Sequence, residues 1–344
     1  MLDERKSRVL QAIVEDYVAT AEPVGSRTIA RKYSLGVSPA TIRNEMADLE
    51  EMGYLEQPHT SAGRIPSDLG YRYYVDCLME TPEVDPADAE LIRRTFERKI
   101  REVDVLIRET ARLLSETTHL TAVVVGPQLS KAHFRELRFI PLDDRRAVLI
   151  YITDSGFVEN HVVELPVEIT MLELERVAEI LNQQLRGQPV ESLSRTALRI
   201  VQDELKRYGA LLEQTLEFLK ENLEPGEKRR LYLGGTTNIL NQPEFRNVDK
   251  LRSLLSVLEN DELVAELLEA TEPDSDKPTI QIGEEIKIRE MADCSVVSAY
   301  YTLGNEVIGR VGIIGPKRME YGRVVGIMEA VTRQLALATS RYRF

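Results

Sequence analysis

The sequence predicts an α+β, multidomain protein: a helical N-terminal module closed by a short hairpin, then a β-rich domain interrupted by a mainly helical insert. Three observations predict it. Residues 3–53 hold three amphipathic helical patterns divided by turn residues; residues 119–164 change to short β-branched runs; and such runs return at 279–316 after a long helical stretch. A length of 344 residues suits two or three domains, and a hydrophobic content of 43% supplies their cores.

Over residues 3–20, Leu10, Ile13, Val14, Tyr17 and Val18 recur at helical spacing, and Pro23 closes the run. Residues 26–33 repeat the pattern in a shorter helix with Ile29 and Ala30 inward, before Ser34, Leu35 and Gly36 turn the chain. Ser38 is suited to cap a third helix, with Pro39 at the first position, where a missing N–H costs nothing. Ile42, Met46 and Leu49 line one face of that helix, which should end near Gly53. "YLEQ" and "GRIP" can then pair as strands around "PHTSA", and helical pattern resumes at Ser67.

Asp85-Pro86 opens another helix, running to about Thr117, in which Phe96, Ile100, Val103, Ile107 and Leu114 keep close to a heptad spacing; residues 81–118 read as a helical connector. "LTAVVVG", "ELRFIPL", "RAVLIYIT" and "VENHVVEL" are strands split by turns such as Asp154-Ser155-Gly156, and residues 172–185 are helical. From 187 to 278 the texture differs. Leu198, Val201, Leu205, Tyr208, Leu212, Leu216 and Leu219 mark a long amphipathic helix, with "RLYLGG" and two short helices beyond. Strands return in "TIQIGEEI", "CSVVSAYYTLG" and "VIGRVGIIG", and a helix through Met328, Val331 and Leu335 closes the chain.

A net charge of −13 speaks for solubility and against indiscriminate nucleic-acid binding. No stretch approaches the roughly 18 unbroken apolar residues a membrane helix needs. "MLDERKSRVL" lacks the apolar centre of a signal peptide, so no membrane partner is expected and the cytoplasm is the expected address. Cys77 and Cys294 stand too far apart for a metal-ligand pair and read as buried small hydrophobes. The histidines, His59, His119, His133 and His161, are scattered and no HExxH accompanies them. "GGTTN" and "GRVGIIGPKR" lack the glycine spacing and Lys-Ser/Thr ending of a phosphate loop. No catalytic residue, metal or cofactor is assigned, and the chain is not expected to be an enzyme.

The helix–turn–helix reading of residues 9–53 is better supported. With Ile42, Met46 and Leu49 facing a core, a step of about 100° per residue puts Ala40, Asn44 and Ala47 opposite, flanked by Thr41 and Arg43. Small residues let a helix sit deep in a major groove, where Asn can pair with adenine, Arg with guanine, and a Thr methyl can meet thymine. Thr41, Arg43 and Asn44 are therefore the candidate base readers. A third helix followed by a hairpin predicts a winged helix-turn-helix over residues 1–80, with "PHTSAGR" at the wing tip and Arg64 reaching the DNA backbone or minor groove. Arg27, Lys32, Ser38, His59, Arg64 and Arg72 are the candidate phosphate and wing residues. A solvated helix face and a plain surface hairpin are the bland alternatives. From Pro23 to Tyr74 six basic residues balance six acidic ones, and the acids crowd the end of the third helix, whereas recognition helices meet bases through their N-terminal residues. Weak non-specific binding and strong dependence on base sequence should follow.

"EPVGSRTIARKY", "VSPATIRNEMADLEEMGYLEQPHTSAGRIPSDLGYRYYVD" and the later "LYLGGTTNIL" resemble the HrcA family of bacterial heat-inducible transcription repressors, along the full length. "TIRNEMADLEEMGYL" alone is also similar to DeoR-type repressors; "PHTSAGRIPSDLGYRYYVD" is the more specific part. The resemblance implies a GAF-like α/β domain in two parts, 119–186 and 279–344, with an inserted dimerisation domain at 187–278. It also implies a homodimer on double-stranded DNA at an inverted-repeat operator of CIRCE type ahead of chaperone operons. A GroE-type chaperonin would keep the repressor active until heat occupies that chaperonin with unfolded clients. The alternative is a DeoR-like or other GAF-domain repressor gated by a small metabolite. From another class comes a winged helix serving as an interaction module in a signalling enzyme, for which no catalytic constellation is visible.

Overall fold

The structure, a computed structural model, describes residues 2–59, 62–97, 103–126, 133–154, 158–165, 171–189, 231–269, 277–303 and 306–339. Three helices open it: α1 (Glu4–Thr20), α2 (Ser26–Lys32) and α3 (Pro39–Glu51). Asp3 caps α1 by accepting from the Lys6 N–H at 2.8 Å, and Ser38 caps α3 by accepting from the Thr41 N–H at 3.1 Å. Val9, Leu10, Ile13 and Val14 of α1 meet Ile29 of α2 and Ile42, Met46 and Leu49 of α3 in one core. Gly53, at φ 82°, turns the chain out of α3 into an antiparallel hairpin of β1 (Leu55–Glu56) and β2 (Ile65–Pro66). Paired backbone bonds between Val24 and Arg64, 2.8 and 2.9 Å, tie the base of that hairpin to the α1–α2 loop. α4 (Asp68–Tyr73) follows and widens into a π-helical turn at Tyr74–Leu78. Residues 2–78 are called the head below.

α5 (Pro86–Glu97) and α6 (Val103–Thr118) stand where one connector helix was expected; residues 98–102 between them lie outside the described residues. After them come β3 (Thr121–Val125), β4 (Phe134–Asp143), β5 (Arg146–Thr153), β6 (Val158–Glu164) and α7 (Met171–Leu185). The remainder is β7 (Leu231–Gly234), α8 (Val248–Leu258), α9 (Asp261–Glu269), β8 (Thr279–Ile282), β9 (Cys294–Leu303), β10 (Glu306–Pro316) and α10 (Tyr321–Thr339).

A five-stranded sheet, order β7-β3-β10-β9-β8 with every neighbour antiparallel, forms the body. Its strands are covered on both faces, so alternate residues enter different cores. Ala122 and Val124 pack with Ile107 and Leu114 of α6 and Met328 and Val331 of α10, in a core that runs without a break into the head. Val123 and Val125 pack instead with Leu254 and Val257 of α8 and Leu267 and Leu268 of α9.

Strand pairing moves the expected domain boundaries. β4, β5 and β6 form a separate three-stranded antiparallel sheet backed by α7, and do not continue the sheet that β3 begins. β7, expected inside an insert at 187–278, pairs with β3 in the central sheet, and α8 and α9 cover that sheet. The interruption therefore lies between β3 and β7, residues 126–230, and it contains a sheet. The long helix expected over residues 198–219 lies outside the described residues. Cys77 is exposed, against the expectation of a buried small hydrophobe; Cys294 is buried, and burial, then the Asp293 charge, pushes its thiol up to about 12. Among the described residues no helix is long and apolar enough to cross a membrane.

Candidate nucleic-acid interface

The apolar phase of α3 decides what the helix shows outward. Ile42, Met46 and Leu49 are 0%, 5% and 0% exposed, which turns Ala40, Arg43, Asn44 and Ala47 to solvent. Arg43 and Asn44 make no side-chain hydrogen bond among the described residues, so their donors and acceptors are available. Thr41 is half-buried, its hydroxyl 3.0 Å from Ser38 Oγ at the helix start. The base-reading candidates thus share the N-terminal half of one helix.

Three of the four acids of α3 are paired inside the head. Glu45 is buried and accepts from Lys6 Nζ at 2.8 Å and Arg5 at 3.5 Å; Lys6 also reaches Asp48 at 3.0 Å. Hydrogen bonds to Glu45 and Asp48 raise the Lys6 pKa above the ordinary lysine value. Glu50 is bound by Arg64, 2.8 Å from Nε and 2.7 Å from Nη2. Three carboxylates of the helix are in this way matched by cations from α1 and the hairpin, which removes most of the repulsion a phosphate backbone would meet. Lys6 and Arg5 were not singled out from sequence, because a charge balance begun at Pro23 leaves out the first turn of α1; two basic residues there were the available signal.

The phosphate candidates divide. Arg27 is exposed on α2 and makes no polar side-chain contact among the described residues. Lys32 donates to Asp16 at 2.6 Å; Asp16 is buried and Lys32 stays half-exposed, so the lysine anchors α2 to α1 with its ammonium still at the surface. Ser38 caps α3, and His59 is exposed at the hairpin tip, beside Thr60 and Ser61, which lie outside the described residues. Two placements differ from expectation. Arg64 folds back onto Glu50, with a side chain 20% exposed, and braces the hairpin against α3; it does not extend outward. Arg72 donates to the Ile280 carbonyl at 2.7 Å and pairs with Glu285 and Asp76, so its guanidinium joins head to body. In both cases a carboxylate brought near by the fold, Glu50 for Arg64 and Glu285 for Arg72, captured the cation; Asp76, one turn on from Arg72, is among the described residues the only partner of the two arginines that sequence spacing places.

A cavity of about 210 Å³ opens between the head and the body, lined by Val18, His119, Gln242, Arg318 and Arg323 among others. Both arginines are already paired, Arg318 with Glu244 at 2.5 Å and Arg323 with Asp88 at 2.9 Å. The cavity therefore offers no uncompensated charge for an anionic ligand.

The geometry of α3 can now be set beside known proteins. The model of the HrcA protein C-terminal domain matches residues 104–325. The heat-inducible transcription repressor HrcA of Symbiobacterium thermophilum is 66% identical over 336 residues, covering 98% of each chain. That of Desulfitobacterium hafniense is 45% identical over 345 residues, covering 99% of each. Among solved structures, the crystal structure of a hypothetical protein at 2.2 Å resolution superposes with a TM-score of 0.72 at 23% identity, over 99% of this chain and 100% of that one, which speaks for a shared fold. A match of that extent, to relatives similar over head and body alike, makes the chain a member of the HrcA family of heat-inducible transcription repressors, a negative regulator of heat-shock gene transcription and not an enzyme.

Proposed function

We propose that the head is a winged helix-turn-helix that reads an inverted-repeat operator of CIRCE type in double-stranded DNA. In this reading Arg43 and Asn44 meet base edges with Thr41 beside them, while Arg27, Lys32 and Ser38 approach phosphates and His59 lies at the wing tip. The observation that carries it is the orientation of α3, with Ile42, Met46 and Leu49 inward and Ala40, Arg43, Asn44 and Ala47 outward. Alanines on either side of Asn44 allow close approach to the groove floor, and Arg and Asn are the side chains that bond guanine and adenine in bidentate fashion. The internal ion pairs of Glu45, Asp48 and Glu50 support the same face, because they leave the arginine there unopposed.

The repressor acts as a homodimer in the cytoplasm, since a two-fold operator calls for a two-fold protein. The unit inserted between β3 and β7 is the dimerisation domain in this reading, and the rest of the body is GAF-like. One face of the three-stranded sheet packs on α7. The other carries one apolar row, Ile140, Val148 and Val162 paired across the strands, and Ile152 beside Val158, with Ile150 set between Arg138 and Asn160; Ile140, Val158 and Val162 are 48%, 52% and 51% exposed. Exposed apolar residues interleaved with a few polar ones suit a protein partner. A GroE-type chaperonin sustains the active form, and heat stress releases the operator when unfolded clients occupy that chaperonin; family membership supports this part.

The test is a footprint of the purified protein on DNA upstream of chaperone genes, with and without chaperonin. Protection of an inverted repeat, strengthened by chaperonin, is the expected result. Absence of protection in both conditions would sink the proposal.

A further inference from the structure

α4 joins the head to the body through two residues of opposite charge. Asp68, its first residue, accepts from Lys317 Nζ at 2.6 Å and from the Glu284 N–H at 3.1 Å. Arg72, one turn later on the same face of the helix, pairs with Glu285 and donates to the Ile280 carbonyl. Although i,i+4 neighbours, Asp68 and Arg72 each take a partner of complementary charge on the body. Between them Tyr71 is buried edge-on against Tyr321, ring centroids 6.1 Å apart, and the Tyr321 hydroxyl lies 2.8 Å from Ser295 Oγ. Gly283 makes the approach possible: its φ is 53°, and a Cβ there would stand 1.9 Å from Asp68 Oδ2.

The apolar core that head and body share holds them together, but apolar packing is non-directional. Two contacts of opposite sign fix the rotation as well, because turning α4 end for end sets Asp68 against Glu285 and Arg72 against Lys317. Recognition helices in a dimer must meet two half-sites at one separation and one angular phase around the duplex. A head that swivels meets many spacings, each at a greater entropic cost; a head that is locked meets one. We infer that the Asp68–Lys317 and Arg72–Glu285 pairs are positioning contacts that lock the head on the body and so determine which half-site spacing the dimer accepts.

This inference rests on the dimeric operator reading, and its test separates the two. Full-length wild type, Glu285→Gln and Lys317→Met, both altered on the body and outside the head, are titrated with three DNA probes. These are a single half-site, the operator, and operators whose half-sites are moved apart by roughly one to five base pairs, a rotation of up to about half a turn. Half-site affinity stays at the wild-type value in both variants. Affinity for the operator falls roughly tenfold, and preference over the respaced probes largely disappears. Retention of the wild-type spacing preference by both variants overturns the latch while leaving the operator reading intact. A second measurement needs no DNA. Spin labels at Arg27→Cys and Glu262→Cys, in a Cys77→Ser background, give a narrow head-to-body distance distribution that broadens when Glu285→Gln is added. An unchanged width overturns the latch even if the protein binds no operator at all.

Discussion

Among the described residues the outer face of α3 and the outer face of the three-stranded sheet are both exposed, yet one shows Ala40, Arg43, Asn44 and Ala47 and the other Ile140, Val148, Val158 and Val162. The difference separates two kinds of partner. An apolar face gains roughly 25 cal/mol per Å² when another apolar face excludes water from it, whatever the details of its neighbour. A face of small residues with one guanidinium and one amide gains little from dehydration and much from a partner that presents matching donors and acceptors. The sheet face should therefore tolerate exchange among apolar residues and fail on a charge, whereas the α3 face should fail on losing a single polar group. Val148→Asp gives the largest effect expected here: it places a charge between Ile140 and Val162, its two cross-strand partners, and costs about 4 kcal/mol or more of dimerisation free energy. Sedimentation equilibrium should find a monomer with unchanged far-ultraviolet circular dichroism. An intact dimer would remove the sheet face from the interface.

The α3 face breaks in the opposite way. Arg43→Ala leaves dimerisation and melting temperature unchanged, because Arg43 is exposed, and weakens specific operator binding by about 1–3 kcal/mol, with relaxed preference at one base position. A variant that binds more weakly but selects the same bases would make Arg43 a phosphate contact. Arg64→Ala tests how α3 and the hairpin share their charges. If Arg64 keeps its bond to Glu50 on DNA, the loss is about 0.5–1 kcal/mol of stability, as for a partly exposed pair, and the salt dependence of binding does not change. If the arginine leaves Glu50 for a phosphate, the slope of log affinity against log salt falls by about 1. A salt titration of wild type and variant distinguishes these outcomes.

Both faces bear on what can be read in a sequence. The outward set on α3 is legible from the phase of Ile42, Met46 and Leu49, because the helical repeat is a local rule and Ser38-Pro39 marks its origin. The hairpin is legible too, from turn formers between two short apolar runs. Where each cation goes is not: Glu285 lies 213 residues from Arg72, and only the tertiary fold brings it near. Pairing among strands is equally silent. β3, β4 and β5 are all strand-like runs, and nothing in their composition says that β3 pairs with β7 and β10 while β4 pairs with β5. A change of texture is visible at residue 187, whereas the point at which the chain leaves the central sheet after β3 carries no such mark. Cys77 shows the same limit in miniature, because residue type favours burial and the last turn of the head leaves it at the surface.

The smallest effect concerns a polar atom buried without a partner, the reverse of the polar atoms on the α3 face. The Tyr71 hydroxyl is buried without a hydrogen-bond partner among the described residues, at the contact between head and body, and burial holds its pKa well above the ordinary tyrosine value. Arg43 and Asn44 keep their polar atoms in water until a partner arrives; Tyr71 has given up water for a ring contact with Tyr321. Tyr71→Phe keeps that contact and removes the stranded oxygen, so stability should stay level or rise by about 1 kcal/mol. Urea denaturation reads this as a higher midpoint at constant slope. A loss of more than about 1 kcal/mol would mean that the hydroxyl is hydrogen-bonded through an ordered water in solution, and that water would then be a further polar contact between head and body.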